Sequence, residues 1–370
     1  MDESQSATTP LERLGKLLII PPLSIEVIPG DGSDGPPDWL SDADQQAYRP
    51  FLYVEGHLGV PRKVLYKAYA VAVREYAKLR PSPRSASSPI DAERLAHLSA
   101  VILLANPAHQ TALNTRKQLF SSGLLDTSKE LQFLSALLVV RECSKESLLW
   151  HHRRWLLRRI VTTDVVANAR CIRQEDTLRD TVLSTETLRS EFAIVAQACE
   201  TYPRNYFAWI HRYLCLEALV MLARSPTPFQ QAYRSLLLEE VLFARTWIER
   251  HISDYTAVHY FCNMHLLLLR QEDIPLPIDA ARTLDLDHID NLTLRTALYA
   301  HAKSLLASYP EHETMWLYLR AAIYICGTPD VYAADPYGAH DHGLGAPAPS
   351  KLLVLTHAER HRAWLRRAST

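Results

Sequence analysis

Only 11 glycines are spread over 370 residues, and runs of β-branched residues are few, which leaves little room for sheet. The six cysteines (Cys143, Cys171, Cys199, Cys215, Cys262, Cys326) form no CxxC pair, which excludes a zinc-ribbon or thioredoxin-type site. A chain this long needs no disulfide staples, so reduced thiols and a cytoplasmic setting are expected. No sign of charge dominates: Lys and Arg number 40, Asp and Glu 41, a formal net charge of -1. That balance excludes a broad phosphate-backbone-binding face, and no nucleic-acid partner is expected. Long apolar runs are missing from the N-terminus, where Leu17 to Ile20 is stopped by Pro21-Pro22, so neither a signal peptide nor a membrane span is expected. The closing Arg-Arg-Ala-Ser-Thr carries no cysteine box through which the chain itself would be lipidated. HExxH, a Gly-rich phosphate loop and a Ser/His/Asp arrangement are absent, so no catalytic residues are expected in this chain. The tight cluster His340-Asp341-His342 sits in a Gly/Ala/Pro-rich stretch and reads as a solvated loop; no metal site is expected.

What the chain does have is helical periodicity. Apolar residues recur at helical spacing over Val64–Leu79, Ala92–Ala105, Thr111–Phe120, Leu131–Cys143, Leu148–Ile160, Leu188–Thr201, Phe207–Leu222, Phe229–His251, Thr256–Leu269, Leu292–Ser308 and Thr314–Ile325. Thr127 and Glu130 have the spacing of a capping box opening the fourth segment. The segments fall into pairs joined by short turns, and successive pairs indicate an all-α class, an α-α superhelix in which each hairpin buries its apolar face on its neighbours. Three regions follow: an irregular, Pro/Gly/Asp-rich N-terminal extension over 1–60, a repeat domain over 61–326, and a low-complexity loop with a last helix over 327–370.

One unit recurs. In Tyr202-Pro-Arg-Asn-Tyr-Phe-Ala-Trp-Ile-His-Arg, Asn205, Trp209 and Arg212 stand at offsets of four and seven, on one helical face. Pro203 ends one helix and Asn205 is placed to cap the next. Trp209 then fills the space between layers, and the Arg212 fork can satisfy carbonyls of neighbouring turns. The same register recurs at His109, Leu113 and Arg116-Lys117, at Glu146, Trp150 and Arg153-Arg154, at Asp254 and Val258 with Phe261 in place of arginine, and at His312, Trp316 and Arg320, one position late. Trp150, Trp209 and Trp316 read as core, Arg153, Arg154 and Arg212 as structural, and His151-His152 as polar residues of a helix surface. Uneven spacing of the tryptophan positions argues against a tetratricopeptide scaffold, whose period is a strict 34 residues.

This pattern resembles the α-subunit repeat of protein prenyltransferases, Pro-x-Asn-Tyr-x-x-Trp-x-x-Arg-Arg, over roughly Asn106 to Ile325. The resemblance implies a crescent of helical hairpins around a catalytic β subunit, which would carry the zinc; no cofactor is expected on this chain. Within the family the eroded repeats look most like the branch that pairs with the Rab geranylgeranyltransferase β subunit as type III geranylgeranyltransferase. The chain would then be a non-catalytic α subunit supporting transfer of a geranylgeranyl group to a C-terminal cysteine of a protein substrate. The α subunit shared by farnesyltransferase and type I geranylgeranyltransferase, or a non-enzymatic helical scaffold, are the alternatives. By position in the motif, the resemblance makes Lys145 the lysine that reaches the isoprenoid diphosphate at the shared site, with a solvated lysine at a helix start as the other reading. It makes Asn205 and Tyr206 the Asn-Tyr pair that faces the partner. Glu146 and Ser147 stand where the second repeat of the family has Asn-Tyr, and Phe207 where farnesyltransferase often has His.

Overall fold

The computed structural model describes residues 8–33, 48–79, 89–160, 176–269, 291–326 and 349–368. Among them are helices α1 (Pro10–Ile19), α2 (Arg62–Leu79), α3 (Pro89–Ala105), α4 (Gln110–Ser121), α5 (Thr127–Leu138), α6 (Arg141–Ser144), α7 (Ser147–Ile160), α8 (Thr185–Thr201), α9 (Tyr206–Arg224), α10 (Gln230–Arg250), α11 (Tyr255–Leu269), α12 (Asn291–Ser308), α13 (Glu313–Cys326) and α14 (Pro349–Ala368). Strands β1 (Ser24–Ile28), β2 (Leu52–Val54) and β3 (His57–Pro61) form one small sheet, order β1-β3-β2, with β3 parallel to β1 and antiparallel to β2. The described chain is therefore all-α apart from this sheet. The His340–His342 cluster and Cys171 lie outside the described residues.

The described chain divides into two compact units: residues up to 177 with 192–211, and 178–191 with 212 onward, so that α8 and α9 are shared between them. In the first unit, residues 8–33 and 48–60 of the stretch expected to be irregular form a helix and a small sheet. Thr9 caps α1 through a capping box with Glu12, and Leu11, Leu14 and Leu18 line its buried face. That face packs on α3 at a close crossing, where a Cβ on Gly15 would meet His97 Cβ at 2.9 Å. The sheet adds Ile25, Leu58 and Val60 to the same core, and β1 lies against α5. Proline and glycine content suggested irregularity; what decides order here is the apolar area that α1 and the sheet bury, roughly 1.5–3 kcal/mol per large side chain.

The fourth helical segment also departs from expectation. The N-cap is Asp126, whose side chain accepts from Lys129 N at 2.9 Å, not Thr127. Glu130 faces inward, buried against Arg116. The helix ends at Leu138 because Val139 and Val140 are poor helix formers and Val140 is extended; a separate single turn, α6, follows. In the second unit, hairpins α10/α11 and α12/α13 pack in succession, and α14 lies against α13. Glu313 with Arg360, Trp316 with His361 and Arg320 with Trp364 advance together along α13 and α14, so the two helices run parallel.

Candidate functional site

The motif residues resolve into two kinds of device. At the start of each second helix, the residue four before the tryptophan position is a cap in three of the five repeats. His109 Nδ1 accepts from Ala112 N at 3.1 Å, Asn205 Oδ1 from Ala208 N at 3.1 Å, and Asp254 Oδ1 from Thr256 N and Ala257 N at 3.1 Å each. The tryptophans are core residues, Trp150, Trp209 and Trp316 all being buried. Two share one geometry: the indole N–H of Trp150 donates to the Ser144 carbonyl, and that of Trp316 to the Pro310 carbonyl, both at 2.7 Å and six residues back.

The arginines form the second device, and here the expected carbonyl partners are only part of the answer. Arg153 Nη1 does reach the Leu131 carbonyl at 2.9 Å and Ser135 Oγ at 3.0 Å. Arg116, however, engages Glu130 with two near-parallel bonds, Nε to Oε1 at 2.8 Å and Nη2 to Oε2 at 2.5 Å, while Nη1 donates to the Ala96 carbonyl and Ser99 Oγ. Arg212 grips Glu240 in the same way at 2.7 and 2.6 Å, and Tyr260 Oη donates to Glu240 Oε1 at 2.6 Å. Arg154 and Arg158 both bind Asp176. The carboxylates Glu130 and Glu240 were missed in the sequence; the signal was an acid on an otherwise apolar helical face, clearest in Leu236-Leu-Leu-Glu-Glu240. His152 is likewise no surface residue: it is buried, with Nε2 donating to Glu130 Oε1 at 3.2 Å, and burial pushes its pKa down. His151 is half-exposed beside Asp176. Burial pushes the Glu130 carboxyl up, but the Arg116 charge and the bonds from His152 and Arg116 outweigh it and hold the pKa at about 2.

The residues expected at the partner rim are brought together in the first unit and then separate by role. Asn205 is buried, and its amide N–H₂ donates to the Ser144 carbonyl at 2.9 Å and Ser144 Oγ at 2.6 Å. With both ends of its amide engaged it is a strut, not a partner-facing group. The same Ser144 carbonyl takes the Trp150 indole, so one carbonyl ties α6, α7 and the start of α9. The chain neighbours of this node point outward: Lys145 is exposed next to Ser144, and Tyr206, 57% exposed, next to Asn205. Arg141, also exposed, lies over the Tyr202 ring at 6.0 Å. The second unit repeats the turn-to-turn link with Ser253 Oγ 3.1 Å from His312 Nδ1. Arg320 finds no such support; it lies 6.0 Å over the Trp364 ring.

Helix α9 is the one helix among the described residues long and apolar enough to cross a membrane, with a mean hydropathy of 1.2 and 61% of that window buried within the protein. It is also the helix into which the family-model match runs. Residues 188–219 match the family model "Protein prenyltransferase alpha subunit repeat", spanning α8 into α9 and including Asn205, Trp209 and Arg212. The chain is 28% identical over 251 residues to the protein prenyltransferase alpha subunit repeat-containing protein 1 of Danio rerio, covering 64% of this chain and 56% of that one. Similarity to the 1-B protein of Xenopus laevis is 29% over 250 residues, covering 62% and 55%. For the Homo sapiens protein 1 it is 26% over 254 residues, covering 64% and 60%. The match thus spans little more than half the length of these relatives. The chain carries a match to the prenyltransferase α-subunit repeat over residues 188–219 and is similar to proteins named for that repeat.

Proposed function

We propose that this chain is the non-catalytic α subunit of a heterodimeric protein prenyltransferase that transfers a geranylgeranyl group to a C-terminal cysteine of a protein substrate. The observation that carries the reading is the turn edge of the first unit, where the buried Ser144–Asn205–Trp150 node holds Lys145 and Tyr206 outward from fixed backbone. A cation held on a rigid edge suits a leaving diphosphate, whose charge grows as the thiolate sulfur bonds to the isoprenoid carbon. On this reading the zinc that activates the thiol belongs to the partner, a β subunit of the Rab geranylgeranyltransferase type, and the complex is cytoplasmic.

The test is co-expression with the β subunits of farnesyltransferase, type I and Rab geranylgeranyltransferases, then size-exclusion and prenyl transfer from farnesyl or geranylgeranyl diphosphate. A 1:1 complex with the Rab-type β subunit, active with geranylgeranyl diphosphate, is expected. In that complex Lys145→Ala is expected to lower kcat/KM for the diphosphate by about tenfold or more without weakening assembly. An unchanged kcat/KM would remove Lys145 from the site, and failure to assemble with any β subunit would leave the helical-scaffold reading.

A further inference from the structure

Three of the motif arginines take a carboxylate within their own unit: Arg116 takes Glu130, Arg154 takes Asp176 and Arg212 takes Glu240, each carboxylate coming from chain that follows the arginine's own hairpin. Arg153 instead donates to the Leu131 carbonyl and Ser135 Oγ. Arg320 on α13 has neither kind of partner among the described residues. Its Nε is buried with no hydrogen-bond partner, and no carboxylate of the described residues lies within ion-pair distance of it. Glu313, one charge near enough to be felt, is bound by Arg360 at 3.2 Å. Burial lowers the Arg320 pKa against the pull of Glu313, with Arg360 and Arg367 lowering it further, so the local field favours an added negative charge.

The surroundings of Arg320 are apolar and open. Leu317 and Tyr324 stand three positions before and four after it, on the same stripe of α13, and are 46% and 78% exposed. The other stripes of the helix are spent: Met315, Trp316, Tyr318, Leu319, Ala322 and Ile323 are buried. A half-buried cation with no counter-ion among the described residues, between two exposed large apolar side chains, has the composition of an interface core with a charged anchor and not of a solvated face.

We propose that the Leu317–Arg320–Tyr324 stripe is a docking face for the partner subunit of the heterodimer, which supplies to Arg320 the carboxylate that Glu130, Asp176 and Glu240 supply elsewhere, together with an apolar side chain seated between Leu317 and Tyr324. The inference rests on the α-subunit reading. The occupant is identified by charge complementarity: three arginines of the same motif are each satisfied by an aspartate or glutamate, and a guanidinium fork selects that geometry again.

The experiment uses the full chain co-expressed with the β subunit with which it assembles, and reads Kd and dissociation rate at low and high salt. Arg320→Glu is expected to weaken the complex by at least about tenfold, mainly through faster dissociation, and to flatten its salt dependence. Tyr324→Asp, at a position that contributes little to the fold, is expected to weaken it to a similar degree. Melting curves of the isolated chain should barely move for either variant, because neither side chain has an internal ion pair to lose. A complex that forms with unchanged Kd in both variants overturns the docking face while leaving the α-subunit reading intact. No complex with any β subunit overturns both.

Discussion

Glu130 shows what a single buried residue does in this protein. Three donor atoms from Arg116 and His152 converge on its carboxylate, and all three side chains are almost wholly buried. Its folded pKa of about 2 lies below the ordinary 4.5, so as the pH falls the unfolded chain takes up the proton first. The stabilisation it provides is therefore complete above about pH 4.5 and is lost as the pH falls towards 2. Glu130→Gln keeps the size but leaves Arg116 buried without its counter-charge, and is expected to cost about 3 kcal/mol at pH 7. Its melting temperature should then respond less than the wild type's between pH 5 and 3; parallel losses in thermal melts across that range would show that another group controls acid unfolding. None of this was legible before the structure. Thr127 and Glu130 have capping-box spacing, and only the inward face of α5 shows that the acid is spent on an arginine 14 residues earlier.

The second helices of the hairpins were the most legible elements, because their signal is local. A cap, a buried tryptophan four residues on and an arginine one turn later need only the 3.6-residue period to be placed on one face. Helix α9 starts at Tyr206, directly after Asn205, as the motif requires. What the motif does not contain is the partner of the cap's amide N–H₂: Ser144 lies 61 residues away, and only stacking of turns brings it to 2.6–2.9 Å. Asn205→Asp keeps the acceptor for Ala208 N but replaces the donor to Ser144 with a negative oxygen facing the Ser144 carbonyl. It is expected to destabilise the protein more than Asn205→Ser, which keeps a cap and removes the clash; a loss of about 2–3 kcal/mol against about 1 kcal/mol should be visible in denaturant titration. Equal losses would mean that the cap alone matters and the Ser144 bond contributes nothing.

At the scale of the whole molecule, residues 8–33 and 48–61 are part of the core of the first unit and not an appendage. Removing residues 1–61 would uncover the face of α3 that α1 covers around Arg94 and His97, and is expected to lower the melting temperature by about 10 °C or to render the chain insoluble. A truncated chain that melts like the full one would return those residues to the status of an extension. The amino-acid sequence by itself determined the helical class, the succession of hairpins and the register of the repeat, since each depends on periodicity and caps within about a dozen residues. It also placed Lys145 and Tyr206 beside the turns. Tertiary structure decided the rest: that α1 and the small sheet are core, that Arg116, Arg154 and Arg212 hold carboxylates 14 to 28 residues downstream, that Asn205 faces inward, and that Arg320 has no carboxylate partner among the described residues. The physical reason is range. Backbone hydrogen bonding and helical amphipathicity are written in neighbouring residues, whereas the pairing of a buried charge and the burial of an apolar face depend on which distant elements the packing brings against them.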